Sequence, residues 1–417
     1  MTPEGWQKRR VREFSERLKR INTEGLDLEP LSITKDRGVI LQSEKYSKRI
    51  ATDPRKYVFA EDGDFAFDPM SLYYGAIGRV GGIGRGLVSP DYVVFSADQT
   101  VDSDFLLALF RYPEMHKLYE SLSETGNTFG KRRRLYWSIF EDIELLLPPL
   151  SEQKKIAAIL SSVDEAIAAT QAVIDQLQVV KKAMMAELLT RGLPGRHTRF
   201  KQTEIGEVPE EWQVVPFGDL LPAGTFNGLY KAASFYGSGT PMLDMGDLFR
   251  TEVVDHRERR RVRLTDRERA NFVLQAGDLL FARRSLKLEG SGQCAMVPAL
   301  PEYPVPESSI IRARLNLERC WPTFFLYFWN GATGHQLRMS IARQVAVSGI
   351  SAGDLVQLHV PVPSLDEQRV IASAIDTLGA RLSGEHQVRE QLGNLKTALM
   401  SVLLTGEVRV KPDEEAS

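Results

Sequence analysis

The residues of this chain best suited to act on a partner are cations set beside glycines. Lys131-Arg132-Arg133-Arg134 follows Gly126-Asn127 and precedes Tyr136-Trp137. A glycine-rich stretch, Gly78 to Gly86, carries Arg79 and Arg85. Further along, Arg283-Arg284-Ser285-Leu286-Lys287 follows an apolar run, and Lys231 and Arg343 stand more singly. Lysine and arginine neutralise phosphates, arginine reads guanine edges, and asparagine or glutamine reads adenine. The chemistry on offer is therefore contact with a nucleic acid, and the candidates are Arg79, Arg85, Lys131, Arg132, Arg133, Arg134, Tyr136, Lys231, Arg283, Arg284, Ser285, Lys287 and Arg343. Each has a plainer alternative. The 131–134 run also reads as a solvated loop, and the glycine stretch as a hairpin tip. The arginines from Arg257 to Arg269 alternate with Glu258, Asp266 and Glu268, which points to a salt-bridged face instead.

Signatures of bond-making chemistry are missing. The glycine stretch lacks dinucleotide spacing and a Walker lysine. There is no Asn/Asp-Pro-Pro-Tyr run of an amino-methyltransferase. Six histidines are scattered without metal spacing, and the two cysteines, Cys294 and Cys320, form no CxxC. The expectation is a chain that binds and does not catalyse, with no cofactor or metal of its own.

The 417 residues suggest two or three domains, and 43% apolar with 26% charged residues is ordinary for a globular chain. The formal charge of −2 excludes a uniformly basic coat while leaving room for a local basic face. No uninterrupted apolar run approaches spanning length, and no hydrophobic segment follows the first charges. A cytoplasmic protein without membrane contact is expected.

The elements that must position the cations repeat. Pro148 to Arg191 lies over Pro363 to Gly406 without a gap at an offset of 215, with Glu152/Glu367, Gln153/Gln368, Ile156/Ile371 and Lys181/Lys396 among the identities. In the first copy Ile156, Leu160, Val163, Ile167, Thr170, Ile174, Leu177, Lys181, Met184 and Leu188 step by fours and threes, the spacing of a coiled-coil seam. Ser151 with Glu152 and Gln153 is read as its N-terminal cap. In the second copy Ile371, Ile375 and Leu378 open the seam. Gly379, Gly384 and Gly393 weaken it, and a register shift near 383–387 is expected, after which Val388, Leu392, Leu395, Leu399 and Leu403 carry it. Lys181 and Lys396 fall on the seam, where they either snorkel to solvent or set the pairing. Glu152, Gln153, Glu367 and Gln368, with the seam residues, are expected to serve pairing and subunit docking.

Short apolar runs separated by Gly, Pro and Asp make each globule mostly β. The expected fold is α+β: two mostly-β domains and two long antiparallel coiled-coil helices, with pseudo-two-fold symmetry. The expected boundaries are 1–147, helix 148–192, 193–362, helix 363–406 and tail 407–417. Pro-Glu-Glu-Trp at 209–212 echoes Pro-Glu-Gly-Trp at 3–6, and Gly277-Asp278 echoes Gly63-Asp64.

This layout resembles the specificity subunit of a type I restriction–modification enzyme. The residues that carry the likeness are PPLSEQKKIAAIL and PVPSLDEQRVIASAI at the heads of the two helices, with TEIGEVPEEWQVVPFGDL before the second globule. The resemblance implies that each globule is a target-recognition domain reading one half of a split site in double-stranded DNA. It implies a helical pair that sets the spacing, docks two modification subunits carrying S-adenosylmethionine, and is joined by restriction–translocase subunits. The alternative is a coiled-coil scaffold that binds proteins and not DNA.

Overall fold

The computed structural model describes residues 3–46, 53–125, 133–343 and 348–411. Its two compact units are interleaved along the chain: the first comprises Met1–Gln171 with Gln387–Ser417, the second Ala172–His386. Each unit therefore takes the head of one long helix and the tail of the other.

In the first unit an antiparallel sheet runs in the order Ser15–Leu18, Val93–Ala97, Phe65–Phe67, Ile77–Arg79. Phe65, Phe67, Phe95, Phe110 and Phe140 stack edge and face beneath it, at centroid distances of 4.8–6.2 Å. Two helices, Ser103–Phe110 and Pro113–Leu122, cover this core. The aspartate Asp102 caps the first of them by accepting from Asp104 N and Phe105 N. A short hairpin then pairs Glu124–Thr125 with Arg133–Arg134. The strand Glu144–Leu147 returns to pair with Gln7–Arg10 and leads into the long helix.

The second unit repeats the plan. Its sheet runs Thr225–Asn227, Ile310–Ala313, Leu279–Ala282, Cys294–Met296. The helices Pro322–Asn330 and Ala332–Ile341 follow, then a hairpin joining Arg343 to Gly349, then His359–Val362 paired with Gln213–Pro216. A three-stranded sheet through Tyr236–Leu243 is added on one side. The turn at Gly63-Asp64 recurs at Gly277-Asp278: both glycines have positive φ, and each aspartate accepts the amide three residues back, Glu61 N or Gln275 N, at 2.8 Å.

The first long helix, Leu150–Arg191, and the second, Leu365–Leu403, are unbroken, each about 60 Å at 1.5 Å per residue. In the first unit Asp164 pairs with Lys396 at 2.6 Å, and Gln171 accepts from Arg389. Seven residues up one helix meet seven down the other, so the pair is antiparallel. In the second unit Lys181 Nζ lies 3.9 Å from the Cβ position of Gly379, in the same register. The expected shift near 383–387 does not occur. Ile371, Ile375, Leu378, Leu382, Glu385, Leu392, Lys396, Leu399 and Leu403 are buried or half-buried on one 4-3 spacing, whose remaining position, Arg389, is exposed and bonds Gln171, whereas Val388 and Leu395 are exposed. Polar residues hold the seam where apolar ones were sought, because Arg389 and Lys396 find partners on the facing helix. On the first helix Ile156, Leu160, Val163, Thr170, Ile174, Leu177 and Leu188 are buried, as their spacing predicts, with Ile167 and Met184 half-buried.

Two further expectations are corrected. The first long helix contains an 18-residue window of mean hydropathy 1.3, long and apolar enough by composition to cross a membrane. The residues it buries here are those of the seam, packed inside the protein. Ser151 is not its cap, since the helix begins at Leu150 and the amides of Glu152 and Gln153 donate to Pro149 O.

Glu152, Gln153, Glu367 and Gln368 are fully enclosed, so they are not a docking surface. Gln153 spans the strand end and the helical layer, donating to Pro148 O at 2.9 Å and accepting from Asp102 N at 2.8 Å. Gln368 donates to Pro363 O and Arg319 O and accepts from Trp321 N. Each glutamate grips the segment that follows the other helix. In the first unit Glu152 receives both Arg409 Nε and Nη2 at 2.8 Å and Val410 N at 3.3 Å. Burial alone would raise its carboxyl; the Arg409 and Val410 hydrogen bonds outweigh that and hold it below the ordinary range. In the second unit Glu367 receives Trp212 Nε1 at 3.2 Å and Leu193 N at 3.3 Å, with His197 Nε2 at 2.8 Å. Gly192 and Gly406, both at positive φ, turn the chain out of the helices into these grips. A Cβ on Gly192 would sit 2.8 Å from Glu367 Oε1.

Candidate nucleic-acid interface

The hairpin that precedes each long helix seats itself on the globule by the same backbone bond. Leu135 N donates to Pro69 O at 3.0 Å in the first unit, and Ile350 N to Arg283 O at 3.1 Å in the second. Arg133 and Arg134 lie at the first of these places, and Arg283, Arg284, Lys287 and Arg343 at the second. They differ in how free they are.

In the second unit the strand Leu279–Ala282 runs on into Arg283, whose amide donates to Ser309 O at 2.8 Å. Arg284 and Ser285 then pair with Gly349 and Ser348, and Arg343 pairs with Gly349 on the other side. Gly349 must be glycine here, because a Cβ would lie 2.4 Å from Arg283 O. The fold thus brings Arg283, Arg284, Lys287 and Arg343 onto one short ribbon. Among the described residues Arg283, Arg284 and Lys287 have no acidic partner, while Arg343 pairs with Asp354 at 3.1 Å and stays exposed. Three cations within five residues, none with an acidic partner among the described residues, concentrate positive charge that a phosphate backbone would neutralise. Ser285 departs from its expectation: it is buried, and its Oγ accepts from Lys287 N at 3.2 Å, so it shapes the turn and does not face outward.

Lys231 is a second correction. It is almost enclosed, ion-paired to Glu268 at 2.7 Å and stacked over Phe235 at 4.4 Å, so its charge serves the fold. The residue beside it, Tyr230, is 82% exposed. Gly228 N donates to Ile310 O, and Leu229 bridges Glu307, so Tyr230 leaves the same end of the sheet as Arg283. Sequence reasoning passed over Tyr230 and Leu286. An aromatic or a leucine in a polar stretch was the only available signal, and it does not separate exposed from buried.

Arg257, Arg259, Arg260 and Arg261 are salt-bridged, as expected, but to acids other than the interleaved Glu258, Asp266 and Glu268, while Arg263 donates to Ser234 O. Arg257 and Arg259 engage Asp247 and Asp255, Arg260 engages Asp244, and Arg261 engages Glu302 at 2.7 Å.

In the first unit Lys131 and Arg132 lie outside the described residues. Arg133 pairs with Glu120 at 2.9 Å. Arg134 lies 3.6 Å from Asp91 and over the half-exposed Tyr136 ring at 5.4 Å. Tyr74, on the turn after the Pro69 contact, is also exposed and stacks on Tyr73 at 4.0 Å. The glycine hairpin sits elsewhere. Arg79 pairs with Asp104 at 2.7 Å, and Arg85 donates to Glu61 at 2.7 Å over the Phe59 ring. These two arginines are neutralised within the fold, and a partner would have to displace their carboxylates. A cavity of about 530 Å³ beside the helix pair holds Asp104 and Asp164 against Arg111 and Lys396, a mixed lining unlike an anion site. Both cysteines are buried, and burial raises their thiols, Cys320 to about 12. Among the described residues no group of His, Cys, Asp or Glu is placed to hold a metal.

Comparison with known proteins adds to this geometry. A family model described as "Type I restriction modification DNA specificity domain" matches twice, over residues 3–179 and 209–394. The MjaVIII specificity subunit of a type I restriction enzyme from Methanocaldococcus jannaschii is 27% identical over 279 residues, 66% of this chain and 64% of that protein. The EcoKI specificity subunit of Escherichia coli K12 is 27% identical over 270 residues, 63% of this chain and 57% of that protein. The chain thus aligns with less than two thirds of the length of each of these two relatives. A solved chain from work on complex assembly and conformational transition of the type I R-M system superposes with a TM-score of 0.61. It is 16% identical and covers 98% of this chain and 100% of that one, a likeness of fold.

Proposed function

The chain belongs to the type I restriction modification DNA specificity family, and from that premise we propose that it is the DNA-recognition subunit of such a complex. Each unit reads one half of a bipartite site in double-stranded DNA. The antiparallel helices set the spacer and dock two modification subunits, which carry S-adenosylmethionine; restriction–translocase subunits join that core. This chain contributes recognition and holds no cofactor, and it acts in the cytoplasm. The observation that carries the reading is the doubled one: two units of one topology, each setting cations around a hairpin at the same place in the fold, ahead of a helix that pairs with its counterpart. Phosphate contacts give affinity that falls steeply with salt, so a gel shift across salt separates this reading from a scaffold that binds only proteins.

Modified-base sequencing of cells carrying this chain and its modification subunit tests the proposal directly. The expected result is one bipartite methylated motif that disappears when the chain is deleted. Unchanged methylation would overturn the assignment. The spacing role has its own test. Removing one heptad from each helix at paired positions, 168–174 and 386–392, keeps the register and shortens the pair by about 10 Å. The expected motif has a spacer shorter by about three base pairs at 3.4 Å each; an unaltered spacer refutes the ruler.

A further inference from the structure

The most exposed large apolar side chain among the described residues is Leu286, at 94%, and it stands in the middle of the unpaired cations. A single exposed leucine is ordinary on a protein surface. This one differs in what surrounds it. Arg283 and Arg284 precede it, Lys287 follows, and among the described residues none of the three has an acidic partner. Its backbone is held on both sides. Arg284 and Ser285 are in the ladder with Gly349 and Ser348. Ser285 Oγ accepts the Lys287 amide, and Gly290 N donates to Lys287 O at 3.2 Å. The turn closes so tightly that a Cβ on Gly290 would lie 2.4 Å from Ser285 Oγ and 2.9 Å from Phe249 Cε1. Beneath it, buried Arg338 donates to Ser291 O at 3.2 Å and anchors the end of the loop. Alternation along the strand turns Ser285 inward and leaves Arg284 and Leu286 outward.

We infer that Leu286 is a base-reading residue that packs against the C5-methyl of a thymine in the major groove, within the half-site bound by the second unit. A two-stranded ribbon fits that groove, and apolar contact with the thymine methyl is one of the few sequence-bearing interactions a side chain without hydrogen bonds can make. The neighbouring cations supply the phosphate contacts that fix its register. The inference rests on the DNA-recognition reading above and goes further by naming one residue and the base group it meets.

The test pairs a protein change with a DNA change, using the chain assembled with its modification subunit. Once the motif is known, each thymine of the second half-site on either strand is replaced by uracil, which removes only the methyl. The wild type is expected to lose about 10-fold in affinity at one position and little elsewhere. Leu286→Ala is expected to lose about the same on the natural site and to show no further loss with uracil at that position. Its affinity for unrelated DNA is expected to match the wild type, which also reports an intact fold. A flat uracil scan overturns the inference, as does an equal uracil penalty in the variant, or a half-site without thymine. If the wild type shows no salt-dependent preference for the motif at all, the recognition reading itself fails, a distinguishable outcome.

Discussion

Glu367→Ala should destabilise the second unit far more than an ordinary surface change. The carboxylate is 1% exposed and takes Trp212 Nε1 at 3.2 Å, Leu193 N at 3.3 Å and His197 Nε2 at 2.8 Å. Arg196 adds a longer ion-pair contact at 3.7 Å. Truncation removes the acceptor and leaves the enclosed indole N–H and the Leu193 amide without one. Hydrogen bonds to a charged group contribute about 1.5–3 kcal/mol each, and stranding a buried donor costs about 1–3 kcal/mol. These overlap, so the expected loss is about 3–5 kcal/mol, the usual cost of breaking one side of a buried charged pair. For a unit of this size that corresponds to a fall in Tm of roughly 6–20 °C. Glu367→Gln keeps an oxygen for one donor and should lose about half as much. Thermal unfolding followed by tryptophan fluorescence suits the question, since Trp212 sits in the grip. A Glu367→Ala protein that melts within about 2 °C of wild type would refute the claim that this residue ties the helix head to the chain leaving the other helix.

Smaller effects follow elsewhere. Lys396→Met removes the ion pair with Asp164, whose partners are 31% and 54% exposed; the expected cost is about 0.5 kcal/mol or less, read in the same melts. Arg284→Ala and Lys287→Ala should each reduce the slope of log affinity against log salt by about 0.9, measured by gel shift on motif DNA, while leaving Tm unchanged. The Glu152 carboxyl is held below its ordinary value of 4.5 in the fold. Its contribution is therefore present in full above that pH and lost as pH falls through the lowered folded value. Glu152→Gln should flatten the acid limb of a stability–pH curve, and an unchanged acid limb would count against the Arg409 grip.

The repeat made much of this protein legible in advance. A 215-residue offset, a 4-3 apolar spacing and strand-length apolar runs between glycines record local periodicity, and local periodicity is what a sequence preserves. They determined the α+β class, the doubled plan and the two long helices. The tertiary structure decided what depends on partners distant in the chain. Lys231 is spent on Glu268, while Arg284, equally basic on paper, has no acidic partner among the described residues, because one meets a carboxylate 37 residues away and the other meets none of those described. Glu152 and Glu367 look like ordinary first-turn acids, yet each closes over the end of the opposite helix, 257 and 174 residues distant. The seam of the second helix runs on through Glu385, Arg389 and Lys396 because Gln171 and Asp164 stand across from two of them, information its own sequence does not hold. Burial and ion pairing are properties of neighbours in space, and only the folded chain sets those neighbours.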